Sequence, residues 1–130
     1  MSEADLPQLQ YLIDSVIVID HLNGQQWATE FILSYGHVSA LSVITRAEVL
    51  AGTALDAEQQ VLQLLNQFST LPITLSVADA AARLRRTERW KLPDAIQAAI
   101  AIDQNLVLVT RNTKDFKDGQ PVKVLIPYRA

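Results

Sequence analysis

Short apolar runs rich in β-branched residues alternate with segments of helical periodicity along most of the chain, and this alternation limits the fold more than any other feature. Residues 10–13 read as a short buried strand that stops at Asp14. Residues 37–41, 72–75, 106–109 and 122–126 read as further strands. Between them, residues 25–35 set Trp27, Ala28, Phe31, Ile32 and Tyr35 at helical spacing, with Gly36 where a C-terminal glycine belongs. Residues 45–51 read as a helix ending at Gly52. Asp56 is placed to cap a helix over 57–68, which carries Val61, Leu64, Leu65 and Phe68 on one face. Ser76 is placed to cap an Ala-rich helix over 77–89. Pro93 stands where a first-turn proline is tolerated and opens a helix over 94–104. Residues 110–117 read as a polar turn or short helix. The stretch 15–22 is ambiguous, because local rules for Val16-Ile17-Val18-Ile19 favour a strand. The pattern as a whole predicts an α/β fold with a mainly parallel central sheet flanked by helices.

A chain of 130 residues has the usual size of one domain, and 49% apolar content is enough for a core. We expect one domain over 1–130, with residues 1–9 as a loose tail. The net charge of −3 and the pI of about 5.2 count against a general DNA-binding module, which needs Lys and Arg to neutralise phosphate. They do not count against a nuclease that holds cations, since metal ions supply local positive charge. Without cysteine, disulfides, thiolate metal sites and Cys nucleophiles are excluded. The polar, acidic start MSEADLPQLQ is no signal peptide, and no apolar run reaches the roughly 18 residues of a membrane span. The expected setting is cytoplasmic, without a membrane.

Four acids fall at or near the ends of these elements. Asp14 ends the first strand, Asp115 lies just past the 106–109 strand, Glu48 lies about one helical turn past the 37–41 strand, and Asp94 starts a helix. In a parallel sheet, ligands collect outside the carboxyl ends of the strands, so all four are placed to converge if the strands are neighbours. Each also has a purely structural reading. Thr45-Arg46-Ala47-Glu48 is also a capping box. Asp94 favours the dipole of its helix, and Asp115 reads as a turn residue. Asp14 resists such a reading, because a lone charge in an apolar run is costly to bury unpaired. Clustered carboxylates repel one another and are held together by cations, and hard oxygen ligands select Mg²⁺ or Mn²⁺. Such ions polarise a phosphoryl oxygen and activate water for phosphodiester hydrolysis, with no protein nucleophile required.

Four segments then resemble PIN-domain proteins, and specifically the VapC-type toxins of bacterial toxin–antitoxin modules. They are Leu12-Ile13-Asp14-Ser15, the run 42–52 around Thr45-Arg46-Ala47-Glu48, the run 91–101 around Leu92-Pro93-Asp94-Ala95, and Val109-Thr110-Arg111-Asn112-Thr113-Lys114-Asp115-Phe116. They occur in the family's order and span residues 12 to 116. The resemblance implies a PIN-like three-layer sandwich in which 15–22 is a helix. It also implies a homodimer, Mg²⁺- or Mn²⁺-dependent endoribonuclease activity on an RNA substrate, and neutralisation by a cognate antitoxin that occludes the active-site groove. Asp14, Glu48 and Asp94 match the three core acids of the family, and Asp115 matches a fourth, more variable one. These four are the expected catalytic and metal-binding residues. Ser15 and Asn112 match polar residues beside the metal site, and with Arg46 and Thr110 they are expected to orient ligands or substrate. One departure stands out: the family usually carries Asn or Ser two residues after the first acid, where this chain has Val16.

Arg83, Arg85, Arg86, Arg89 and Lys91 form a basic stretch leading into Asp94. Arg85, Arg86, Arg89 and Lys91 are candidate RNA-phosphate contacts, and a solvated helix face is the competing reading. His21 and His37 lack metal-ligand spacing, and no glycine-rich phosphate loop is present. Two other functions remain in play. One is a catalytically weak or inactive PIN-like binding module acting through a partner protein, which Val16 favours. The other is a phosphoacceptor signalling domain, against which Asp14 lacks an adjacent acid.

Overall fold

The computed structural model describes residues 8–116 and 121–129. Five parallel strands run in the order β3-β2-β1-β4-β5: β1 is Tyr11–Ile13, β2 Ser39–Ser42, β3 Ser69–Leu71, β4 Val107–Val109 and β5 Val124–Leu125. Among the described residues, six α-helices flank them: α1 (Ser15–Leu22), α2 (Gln26–Tyr35), α3 (Val43–Ala51), α4 (Glu58–Leu65), α5 (Leu75–Glu88) and α6 (Leu92–Asp103). Alternate residues of each central strand serve opposite faces. Leu12, Ala40 and Leu108 pack with Ala98, Ile100 and Trp90 on the α5–α6 side, while Ile13, Leu41 and Val109 pack with Ile17, Phe31 and Leu65 on the α1–α4 side. This burial on both faces explains why the strands read as continuous apolar runs. Leu9 also packs on the first of these clusters, and residues 1–7 of the expected tail lie outside the described residues.

The chain leaves β1 toward β2 and β3, then returns to lay β4 on the other side of β1. The pairs Leu12↔Leu108 and Ile13↔Val109 fix that return in register. A reversal of strand order opens a crevice at the carboxyl ends of the two strands concerned. Asp14 follows β1 and Thr110 follows β4, so the crevice falls between them.

Ser15–Leu22 is a helix despite its β-branched run. The Asp14 carboxylate accepts from the Ser15 N–H at 2.8 Å and caps it, and the helix buries Ile17 and Val18 completely. Burying a side chain of that size is worth about 1.5–3 kcal/mol, which outweighs a helix-propensity deficit below about 0.7 kcal/mol per residue.

Three local expectations are corrected. The strand expected over 72–75 is β3, Ser69–Leu71, paired as Ala40↔Ser69 and Ser42↔Leu71. As an edge strand it exposes Ser69 and Thr70 and carries no apolar signature, and Pro72, which lacks an N–H, follows it. The cap of the next helix is Thr74, whose hydroxyl accepts from Val77 N at 3.1 Å, so Ser76 lies inside α5. Asp56 sits in a 3-10 turn, Leu55–Ala57, and α4 starts without a side-chain cap. Among the described residues, no helix is long and apolar enough to cross a membrane.

Candidate active site

Asp14 lies at the floor of the crevice and is only 8% exposed. Its Oδ2 accepts from the Thr110 hydroxyl at 2.7 Å, and its Oδ1 accepts from the Ser15 N–H and, at 3.4 Å, from Gln97 Nε2. The Gln97 amide also donates to the Thr45 hydroxyl, so one buried side chain of α6 ties β1 to α3. The alternative structural reading of Glu48, a capping box opened by Thr45, is not what the helix start shows. The cap is instead Ser42, whose Oγ accepts from Thr45 N at 3.0 Å, and Thr45 is fully buried within the helix. Glu48 is thereby released from a capping role and faces the crevice.

The rim carries the other acids. Asp14, Ser15, Val16, Glu48 and Asp94 line one pocket of about 430 Å³, together with Arg111, Asn112, Thr113 and Lys114. Burial pushes the Asp94 carboxyl up to about 6, and the nearby charges of Asp14, Asp115 and Glu48 push the same way, against Lys91. Burial also raises Glu48, with Asp14 adding to it and the Ser15 hydroxyl opposing. Asp115 is outside the pocket lining but close enough to act on Asp94. Its turn is fixed by a reciprocal pair with Asn112, Nδ2 donating to Oδ2 at 3.0 Å and the Asp115 N–H donating to Oδ1 at 3.2 Å. The Trp90 indole donates to the Asp115 carbonyl at 3.0 Å and stacks edge-on against Phe116.

The basic residues fall differently from expectation. Arg46 donates to Asn66 Oδ1 at 3.0 Å and is absent from the pocket lining. Arg85 donates to the Trp90 carbonyl, and Arg89 is the left-handed C-cap of α5. None of Arg85, Arg86, Arg89 and Lys91 lines the acidic pocket, although Lys91 acts on Asp94 electrostatically. Two groups escaped the sequence reading. Gln97 lies in the run 91–101, and the sequence assigns it no role. Arg111 lines the pocket and pairs with Asp20, Nε to Oδ2 at 2.7 Å, while Tyr128 donates to the same oxygen at 2.7 Å. The only sequence-level signal for Arg111 was its place in the motif of residues 109–116. A separate hollow between α5 and α6 is largely apolar, with Asp103 as its one acid, and offers no comparable convergence of carboxylates.

Among the described residues, no three acidic or histidine side chains are placed to hold one metal ion together. The donor chemistry nevertheless fits a hard divalent cation: the donors are carboxylate oxygens, and their mutual repulsion on Asp94 is what a cation relieves.

A parallel α/β sheet with carboxylates gathered at its switch point defines the class structurally. The PIN domain family model matches residues 11–119, and the chain belongs to the PIN-domain family. It is 34% identical over 119 residues to Ribonuclease VapC10 of Mycobacterium tuberculosis, covering 86% of this chain and 90% of that protein. Among solved structures, a toxin–antitoxin complex from Klebsiella pneumoniae matches with a TM-score of 0.86 and 36% identity, over 93% of this chain and 100% of that one. FitAcB from Neisseria gonorrhoeae matches with a TM-score of 0.75 and 25% identity, over 91% and 98%.

Proposed function

We propose that this PIN-domain protein is a metal-dependent endoribonuclease and the toxin of a toxin–antitoxin pair. The observation that carries the reading is the convergence of Asp14, Glu48 and Asp94 on one pocket in a chain 34% identical to a ribonuclease. Metal dependence is general in the family, and Mg²⁺ or Mn²⁺ is the ion this oxygen-only donor set suits. Asp14, Glu48 and Asp94, which share the pocket lining, would hold it once their side chains drew closer together than they stand here, with Asp115 alongside. Such an ion supplies polarisation of the phosphoryl oxygen and activation of water.

The chain's own residues do the rest. Thr110, Ser15 and Gln97 pre-orient the Asp14 carboxylate, so it need not reorganise when the ion arrives. Asp94, its carboxyl pushed up to about 6 by burial and the neighbouring carboxylates, would be held in its charged form by a cation beside it. Lys114 at the rim draws the phosphodiester toward the acids, and Arg111, its charge largely met by Asp20, offers a hydrogen-bond donor there. The similarity to a solved toxin–antitoxin complex supports an antitoxin partner. The resemblance to VapC-type toxins extends the proposal to a homodimer in the cytoplasm, with a segment of the antitoxin occluding the groove. The test is RNA cleavage by protein freed of its partner, with Mn²⁺ supplied. Asp14→Asn and Asp94→Asn should abolish cleavage, and full retention in both removes the site.

A second reading, a weak or inactive module acting through its partner, is favoured by Val16, which puts an apolar side chain in the pocket lining. Calorimetric titration with Mn²⁺ separates the two, since heat of binding that is lost in Asp94→Asn belongs to the nuclease.

A further inference from the structure

The acidic pocket receives RNA poorly unaided, because among the described residues Asp14, Glu48 and Asp94 face Arg111 and Lys114 as the only cations in its lining. A second pocket, of about 220 Å³, shares Arg111 and Thr113 with the first and is completed by Ile126, Tyr128 and Arg129. Among the described residues, no carboxylate lines it. Asp20 belongs to neither lining and grips Arg111 through one edge: Nε donates to Oδ2 at 2.7 Å and Nη2 to Oδ1 at 3.1 Å. The Tyr128 hydroxyl donates to Asp20 at 2.7 Å and steadies that grip. A guanidinium is a planar fork, so fixing one edge fixes the direction of the other. Among the described residues, Arg111 Nη1 donates to nothing.

We infer that this second pocket is a phosphodiester subsite for the nucleotide that flanks the cleaved bond. The inference rests on the nuclease reading and adds where the strand runs. Asp20 cancels much of the charge of Arg111, so Arg111 contributes a fixed donor edge at the boundary of the two pockets. Arg129 contributes the net positive charge, and the Thr113 hydroxyl a further donor. The pairing spans 91 residues, and its cost in side-chain freedom is met in the fold before RNA arrives. An acid-lined pocket for the cation, and beside it a pocket with no carboxylate among the described residues for the next phosphate, together separate two electrostatic tasks that one pocket performs badly.

The test uses the full chain and a fluorophore-labelled single-stranded RNA of mixed sequence. Binding is read by anisotropy in EDTA, and cleavage is read in Mn²⁺. Arg129→Ala should raise Kd and KM about five- to tenfold with kcat within about twofold, and should make the dependence of log Kd on log salt shallower by about 0.7, the value for one phosphate on a single strand. Arg111→Lys keeps the charge but loses the fork, and should weaken binding similarly. Lys123→Ala, outside both pockets, should change nothing. If Arg111→Lys does not fold, Arg129→Ala, an exposed change, decides alone. Cleavage with Kd, KM and salt slope unchanged in Arg129→Ala overturns the subsite and leaves the nuclease intact. Failure of the native protein to bind or cleave RNA overturns both.

Discussion

The floor and the rim of the acidic pocket are built on opposite terms. At the floor, Asp14 is buried and takes hydrogen bonds from Ser15, Thr110 and Gln97, which belong to three different parts of the chain. At the rim, Asp94 and Glu48 face other carboxylates, and both are pushed toward the protonated form. A buried charge persists only when it is paired or hydrogen-bonded, which the floor achieves with protein donors. The rim leaves that task to a cation. The floor therefore belongs to the folded state, while the rim is completed by what binds.

Neutralising each acid should pull the two apart. Asp14→Asn and Asp94→Asn should each lower RNA cleavage by about 10²-fold or more, because each removes a ligand charge. Thermal melts should separate them. Asp14→Asn sets an amide N–H₂ against donors and should cost about 1–3 kcal/mol, whereas Asp94→Asn removes repulsion and should leave Tm unchanged or higher in EDTA. Equal losses of stability would erase the distinction between floor and rim. Thr110→Val tests the floor without touching an acid. It removes the donor to Asp14 and the acceptor for the Asn112 N–H, and should cost about 1–2 kcal/mol with a smaller loss of cleavage.

The rim also carries a pH signature. Asp94 binds its proton more tightly folded than unfolded, so its contribution is present below its ordinary pKa of 3.8 and is lost as pH rises through about 6. Glu48, also raised, has the same sign. Asp20 has the opposite sign: the Arg111 guanidinium beside it lowers its carboxyl, and that contribution is lost as pH falls through the acid range. In EDTA, stability should decline by about 1 kcal/mol between pH 4 and 7 after allowance for solvent screening. Asp94→Asn should flatten the decline. Added Mn²⁺ should raise Tm more at pH 7 than at pH 5, and an equal rise at both would mean that Asp94 does not meet the ion.

The same contrast decides what the sequence could reveal. Strands β1, β2 and β4 were legible because both faces are buried and their residues are apolar, whereas the edge strand β3 exposes Ser69 and Thr70 and was placed three residues late, over Pro72. Asp14 was legible because its charge interrupts an apolar run. Its partners were less so: Thr110 stood in a motif, but Gln97 is 83 residues away and only the docking of α6 brings it to Asp14. Glu48 was obscured by local pattern, since only the structure assigns the cap to Ser42. Helix α1 defied local propensity, and only the family resemblance gave it, because capping by Asp14 and burial of Ile17 and Val18 are tertiary facts.

Val16 offers the smallest and finest test. It lines the pocket from the first turn of α1, two residues past Asp14, where the family usually has Asn or Ser. Its side chain is partly buried against the α1–α4 core, so an apolar residue gains some packing there and gives the pocket no donor or acceptor. Val16→Asn should therefore lose under about 1 kcal/mol of stability, since only part of a small side chain leaves the core. In return it places an amide at the acid-lined pocket, where it can orient a carboxylate or a water. Cleavage should rise a few-fold in Mn²⁺, with Mn²⁺ affinity measured by calorimetry rising in step. If cleavage falls while Tm holds, the valine has a role of its own in this pocket, and the departure from the family is an adaptation to this chain's substrate rather than a loss.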